Sequence, residues 1–479
     1  MTAPATPAVR APAPEPPTAA LARFTAEITV PERVRLVTRR YLLDWLGSTL
    51  GGGELRPPTL LRGVVESLGG APQATILATG AQTSAPLAAL ANAAAAHVLE
   101  MDDLDRASIA HPGAPVIAAA LAVAEREHLD GDALLDAIAI GYEVCVRVGE
   151  ALGPSHYEHW HTTGTAGTFG AAAAAARLSA LDAEGVLRAL GSAGTMAAGL
   201  WEFLADGAMS KQLHPAKAAH DGVLAALLGA AGFTAATRIL EGPKGVLAAM
   251  SDAPDASRLT SDLEALDAHR GAGPWRIEGV SFKVHASCRH THPAVDAALA
   301  LRARTGFDVA DIEAVHVRIY SQGLALLEGV EPTTPYAAKF SLPFCVAAAL
   351  IHGDLAPGRF TDSTILEART LALAQRITFA PDPALDALYP REWPSIVTIR
   401  LRSGEVLEER VDHPAGDPEA PLSDDALAAK FVALAGTAFE GDPAAFARAV
   451  LAGPALSAGG LVMAAARPRV PAPTAAGAR

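Results

Sequence analysis

Two alanine runs, Ala93–Ala96 and Ala171–Ala176, constrain this chain more than any other feature. Alanine has the highest helix propensity and loses no side-chain entropy on burial, so such runs read as contact faces of closely packed helices. Half of the residues are hydrophobic and only 5% are aromatic, which extends the same inference to much of the core. Asn92, His97 and Arg177 border or interrupt the runs, and no stretch approaches the roughly 20 uninterrupted apolar residues of a membrane span. The expectation is packed helices and no membrane partner.

A chain of 479 residues exceeds what one hydrophobic core usually supports, so two domains are expected. Apolar residues at helical spacing place helices at Pro31–Leu50, Pro86–Leu99, Ala114–Arg126, Asp132–Leu152, Thr165–Arg177, Ala183–Ala198 and Ala216–Ala231. Near Gly271 the pattern changes. Trp275–Val284 and Ile312–Tyr320 alternate as strands do, and Ser395–Arg402 and Glu405–Val411 form a hairpin across Ser403-Gly404. Helices near Thr291–Arg304, Ala338–Ile351 and Thr364–Ile377 lie among them, and the pattern is helical again after Leu422. The fold class expected is mainly α: a large all-helical domain over 19–268 and 413–465, with a smaller α+β lid domain inserted at 269–412. Residues 1–18 and 466–479 are Ala/Pro/Arg tracts that read as disordered tails.

The formal net charge of −14 argues against a nucleic-acid partner, because phosphate binding needs a basic face. Cys145, Cys288 and Cys345 are too few and too dispersed for a disulfide framework. The first twenty residues have no apolar core that would make a signal peptide. A reducing cytoplasm is the compartment expected.

Four segments gather polar residues within apolar surroundings. Met101–Arg106, with His111 close behind, reads as a solvated, capped turn or as a site. His156–Gly170 sets three histidines before a helix start that favours an anion. His159 and His161 there lack a third ligand at local metal spacing. Lys211 and His214, three residues apart, are a basic helix entry or a site. Phe282–Pro293 holds Lys283, His285, Cys288, Arg289, His290 and His292, a density of titratable groups that favours function. No nucleotide loop, HExxH or G-x-S-x-G is present. The inventory suits proton transfer beside a carboxylate-bearing carbon, with Lys and Arg holding carboxylates.

These segments, in this order, resemble the MmgE/PrpD family, whose members include 2-methylcitrate dehydratase, cis-aconitate decarboxylase and iminodisuccinate epimerase. The resemblance rests on Tyr41–Gly52, Met101–Val116, Gly141–Glu143, His161–Gly170, Lys211–Ala219, Lys283–Asp296 and Phe340–Leu350. It implies a helical domain with an α+β lid over a cleft, a homodimer, no cofactor and no metal. It places catalytic positions at Asp102 or Asp103, His111, His161, Lys211, Lys283 and His292. His161 is the preferred general acid or base, and Lys211, Lys283 and Arg289 would hold substrate carboxylates. Arg106 and Cys288 are expected at the substrate beside Arg289, with Cys288 either a packed thiol or a reactive one. Two departures stand out. Asp105-Arg106 replaces a longer acidic segment with Thr, and Cys288 stands near a position where decarboxylases carry His. The implied activity is dehydration of a di- or tricarboxylate such as a 2-methylcitrate or citrate type. Decarboxylation of an aconitate-like acid and epimerisation next to a carboxylate are the alternatives, and a non-catalytic binder is the rival of another class.

Overall fold

The alanine runs bury completely, and glycines opposite them bring helix backbones together. The computed structural model describes residues 15–266 and 273–465. In chain order come α1 (Pro17–Glu27), α2 (Glu32–Gly52) and α3 (Arg56–Leu68), then a small hairpin of β1 (Ala74–Ile76) and β2 (Ala81–Thr83). There follow α4 (Ala85–His97), α5 (Gly113–Arg126), α6 (Gly131–Tyr157), α7 (Thr162–Leu178) and α8 (Ala183–Met196). Every residue of α7 except Arg177 is buried, and α5, α6, α8 and the Leu213–Ala230 helix pack around it. A Cβ on Gly170 would lie 2.6 Å from the Gly141 carbonyl oxygen, so only glycine allows α6 and α7 to cross this closely. Side-chain caps fix several helix starts: Asp130 accepts from the Ala133 N–H, and Asp182 from the Gly185 N–H, both at 2.8 Å. No helix among the described residues is long and apolar enough to cross a membrane.

The second region holds a four-stranded sheet of β3 (Ile312–Ile319), β4 (Ile377–Pro381), β5 (Ser395–Leu401) and β6 (Val406–Val411), in the order β4-β3-β5-β6. β3 pairs parallel to β4 and antiparallel to β5, while β5 and β6 form the expected hairpin. Val315, Val317 and Ile319 alternate to the buried face, in one apolar cluster with Ala297, Leu301, Val346 and Leu350 from helices His292–Thr305 and Leu342–His352. The chain then returns, and helices Asp424–Ala435 and Pro443–Ala452 pack on α2.

Three local expectations are corrected. Trp275–Val284 is a short 3-10 turn, Arg276–Gly279, followed by an extended crossing. Its apolar residues are buried on α2 without a sheet: Tyr41 stacks on Phe282 and donates to the Val280 carbonyl oxygen at 2.7 Å. Pro17 and Thr18 belong to α1 and not to a tail, because the Thr18 hydroxyl donates to Glu241 at 2.5 Å. Residues 1–14 of that tail and all of 466–479 lie outside the described residues. The helix expected at Thr364–Ile377 is shortened to Ala368–Ala374, and Ile377 starts β4.

The outgoing and returning strands of chain between the two regions are bound together. The Phe282 N–H donates to the Gly416 carbonyl oxygen at 2.9 Å. Ser281 donates through its hydroxyl to Asp417 at 2.6 Å, and Ser281 also bridges Leu104 of the first region. The two chain passages therefore meet at the loop that carries the acidic segment.

Candidate active site

The residue that organises the site is Glu100, one position before the acidic segment singled out above. After α4 ends at His97, Glu100 takes a left-handed conformation, φ 57°, which is rare for a residue other than glycine and turns the chain sharply. Its carboxylate, 1% exposed, accepts from Lys211, from Lys283 at 3.0 Å and from the Tyr336 hydroxyl at 3.0 Å. Burial alone would raise this carboxyl's pKa, but the two ammonium groups outweigh it and hold the pKa well below the usual range. Lys211 also stands over the Phe340 ring, 5.0 Å from its centroid.

Asp102 and Asp103 diverge. Asp102 lies 2.6 Å from His97 Nδ1 and 3.4 Å from His111 Nδ1. Burial raises its pKa, but these imidazoles more than offset that and bring it below the ordinary value. Asp103 has no such neighbour. It accepts from the Gly113 N–H at 3.1 Å, fastening the start of α5, and burial drives its pKa well up. Burial and the neighbouring imidazoles thus push the two adjacent acids in opposite directions.

His111 has its tautomer fixed. Its Nδ1 is 2.6 Å from the Asp103 carbonyl oxygen, an atom that can only accept, so Nδ1 carries the proton and Nε2 is bare. Burial lowers its pKa to about 3. His161, the residue before the first turn of α7, shares one proton with His214 across an Nδ1–Nδ1 distance of 3.1 Å. Burial holds His161 well below its ordinary pKa and takes His214 to about 4. The rings of His97, His111 and His161 gather within 4.9–6.3 Å of one another, centroid to centroid.

These groups surround a narrow pocket of about 20 Å³. Glu100, His111, His161, Lys211, Cys288 and Arg289 line it, so five expected catalytic or binding residues reach it together with Glu100. Asp102, Asp103, Lys283 and His292 stand behind the wall. His292 Nδ1 accepts from Arg289 at 3.0 Å and its Nε2 donates to the Ser287 carbonyl at 3.3 Å, which makes it a support for the guanidinium. Cys288 is a buried thiol whose pKa is pushed up to about 11, so it is not a ready thiolate.

Arg106 is a correction. Its guanidinium is held by Asp417 at 3.2 Å and by Glu419 at 2.7 Å, and it does not line the pocket. Arg289 donates to the same Asp417. Asp417, in the returning passage, is therefore a shared anchor for both guanidiniums. Its distance in sequence from Arg106 and Arg289 hides it from any local pattern. Glu100 carried a local signal, being continuous with the acidic run. Lys339 was missed as well; it is buried, donates to the Leu99 carbonyl oxygen at 2.5 Å and is lowered to about 7 by burial.

His159 is exposed and does not join His161 in a metal-ligand group among the described residues. Among the described residues two groups of potential donors converge: His97, Asp102 and His111 at the site, and His413, Asp417 and Glu419 in the returning passage. The 2.6 Å between His97 Nδ1 and Asp102 Oδ2 is a hydrogen-bond distance, whereas two ligands of one tetrahedral zinc lie about 3.3 Å apart. The arrangement suits a carboxylate–imidazole pair.

Models of the MmgE/PrpD N-terminal and C-terminal domains match residues 19–259 and 285–452. The chain is 24% identical to the cis-aconitate decarboxylase of Aspergillus terreus over 379 residues, 76% of this chain and 77% of that one. It is 30% identical to the 2-methylcitrate dehydratase of Cupriavidus necator over 157 residues, about a third of each chain (31% and 32%). It is 28% identical to the mouse cis-aconitate decarboxylase over 238 residues, 47% of this chain and 46% of that one.

Proposed function

This chain belongs to the MmgE/PrpD family, and from that premise we propose that it is a cofactor-independent lyase that removes water next to a carboxylate. The observation that carries this reading is His111. Its Nδ1–H is committed to the Asp103 carbonyl, which leaves a bare Nε2 on a ring that lines the same pocket as Lys211.

In the empty pocket a neutral imidazole of such low pKa is a weak base. The negative charge of a bound carboxylate raises its proton affinity, so the base strengthens as substrate arrives. His111 then takes the proton from the carbon next to the carboxylate. The Lys211 ammonium, held by Glu100, stabilises the negative charge that develops on the carboxylate oxygens. The carbon–oxygen bond breaks, the double bond forms, and the imidazolium returns its proton to the departing hydroxyl as water. His161, sharing a proton with His214, offers a second site of proton exchange.

A second reading is decarboxylation of an unsaturated acid, in which an imidazolium protonates the carbon that loses CO₂. The alignment with the Aspergillus terreus enzyme over 76% of this chain favours it. Substituting His111→Gln and Lys211→Met separately tests the proposal. Each is expected to lower turnover by about 10²–10⁴-fold with the melting temperature close to that of the parent. Full turnover in both variants would sink it, and so would activity lost to a chelator and restored by zinc or iron.

A further inference from the structure

Resting on the reading of this pocket as a lyase site, we infer that its substrate carries at most two carboxylates together with an apolar arm. Three sets of observations lead there.

One wall of the pocket is apolar. Leu104, Ile109, Trp201, Leu326, Phe340 and Trp393 line it, and Trp393 is itself fixed by stacking on His290 at 4.3 Å. A substrate made only of carboxylates and hydroxyls would leave that wall without a complement and would desolvate its own charges against it.

The polar part of the lining is short of free positive charge. Lys211 and Arg289 are the cations that line the pocket, and each already holds a protein carboxylate, Glu100 and Asp417. Around Glu100 two ammoniums face one carboxylate. Around Asp417 two guanidiniums, Arg106 and Arg289, face two carboxylates, Asp417 and Glu419. Burial lowers the pKa of each lining imidazole, His111, His161 and His290, which disfavours a positive charge there before a substrate binds. Lys339 stands behind the wall on a backbone carbonyl. With the Asp102 carboxylate also behind the wall, Lys211, Lys283, Arg106 and Arg289 are matched by Glu100, Asp102, Asp417 and Glu419. A site with no surplus from these pairs suits one or two substrate carboxylates better than three.

The approach is acidic. A larger cavity, about 490 Å³, adjoins the pocket and shares Leu326 and Phe340 with it. Asp206, Glu328 and Glu331 line it, all exposed and unpaired with any cation among the described residues. No lysine, arginine or histidine lines this cavity among those residues. A field of this sign repels a trianion more than a dianion or monoanion.

Titration calorimetry on the intact protein with three probes tests the inference: citrate, 2-hydroxy-2-methylbutanedioate and 2-benzyl-2-hydroxybutanedioate. The benzyl acid is expected to bind at least roughly ten-fold more tightly than either of the others. The surface substitution Glu328→Gln with Glu331→Gln should raise citrate affinity several-fold at low salt and change that of the benzyl acid less. Citrate binding as tight as the benzyl acid, or binding of none of the three, would overturn the inference. Loss of water or deuterium uptake from the bound acid is read separately. Tight binding of the benzyl acid with neither event would sink the lyase reading and leave the inferred apolar arm and charge standing. Turnover of citrate alone would do the reverse.

Discussion

Lys283 donates to Glu100 at 3.0 Å across 183 residues of chain, tying the passage into the second region to the turn that follows α4. Lys211 reaches the other oxygen of the same carboxylate. All three side chains are buried, so the carboxylate is what makes two neighbouring ammoniums tolerable away from water.

Removing that charge should therefore be costly. Glu100→Gln leaves both lysines facing an amide and is expected to destabilise the fold by about 3–5 kcal/mol. Adding Lys283→Met should recover part of the loss, because one uncompensated cation then disappears. Urea unfolding of both variants checks this. A Glu100→Gln protein as stable as the parent would mean that the lysines find other partners.

The two guanidiniums on Asp417 should separate cleanly. Arg106→Gln loses a partly exposed pairing with Glu419 and one contact to Asp417, so a cost of about 1–2 kcal/mol is expected. Its KM should stay within a few-fold of the parent's. Arg289→Gln changes a pocket wall and should raise KM. A large KM increase from Arg106→Gln alone would return that residue to the substrate.

Gly416 is required by geometry. Its φ is 92°, and a Cβ there would lie 2.1 Å from the Phe282 carbonyl oxygen. Gly416→Ala should cost at least about 1–3 kcal/mol in backbone strain alone and loosen the paired chain passages. Thermal melts and amide exchange at Phe282 read this out; an unchanged melt with protected exchange would contradict it.

Much of the fold was legible because its cause is local. Ala171–Ala176 packs as its composition implies, and the alternation of Ile312–Ile319 and the Ser403-Gly404 turn mark β3 and the β5–β6 hairpin. Trp275–Val284 misled because an extended crossing pressed on α2 shows the same apolar alternation as a strand, while strand pairing is not local. β4 was hidden for the same reason. Its partner β3 lies some sixty residues away in a parallel ladder, which no turn announces. At the site, the histidines and lysines stood out by density. Which of them is bare and which is committed depended on Glu100, the Asp103 carbonyl and Asp417, contacts that only folding creates.

Acid should destabilise the protein, and the sign follows from the imidazoles. His111 and His290 are lowered from 6.5 to about 3, and His156 and His214 to about 4, by burial first in each case. Between about 6.5 and those values the unfolded chain binds more protons than the folded one, so stability falls as pH drops. Lys339, lowered from 10.5 to about 7, acts in the same direction between those two values. Glu100 and Asp102, lowered overall, add a further loss below the ordinary carboxylate range. Asp103, Asp44, Asp105 and Glu143, raised by burial, work the other way above it and lessen the slope. Melting temperature should decline from pH 8 through pH 5, with a shallower slope in His111→Gln. A flat profile across that range would contradict the buried neutral imidazoles.

The most direct measurement is proton NMR in D₂O of the purified protein with citrate, 2-methylcitrate, cis-aconitate, iminodisuccinate and the benzyl-substituted hydroxy acid. The account predicts a vinyl signal from loss of water, or deuterium entering the carbon next to a carboxylate in the reverse direction, and neither with His111→Gln. Deuterium uptake at an α-carbon without elimination or loss of CO₂ would contradict the lyase reading and mark an epimerase. Elimination at full rate in His111→Gln would contradict the assignment of the base.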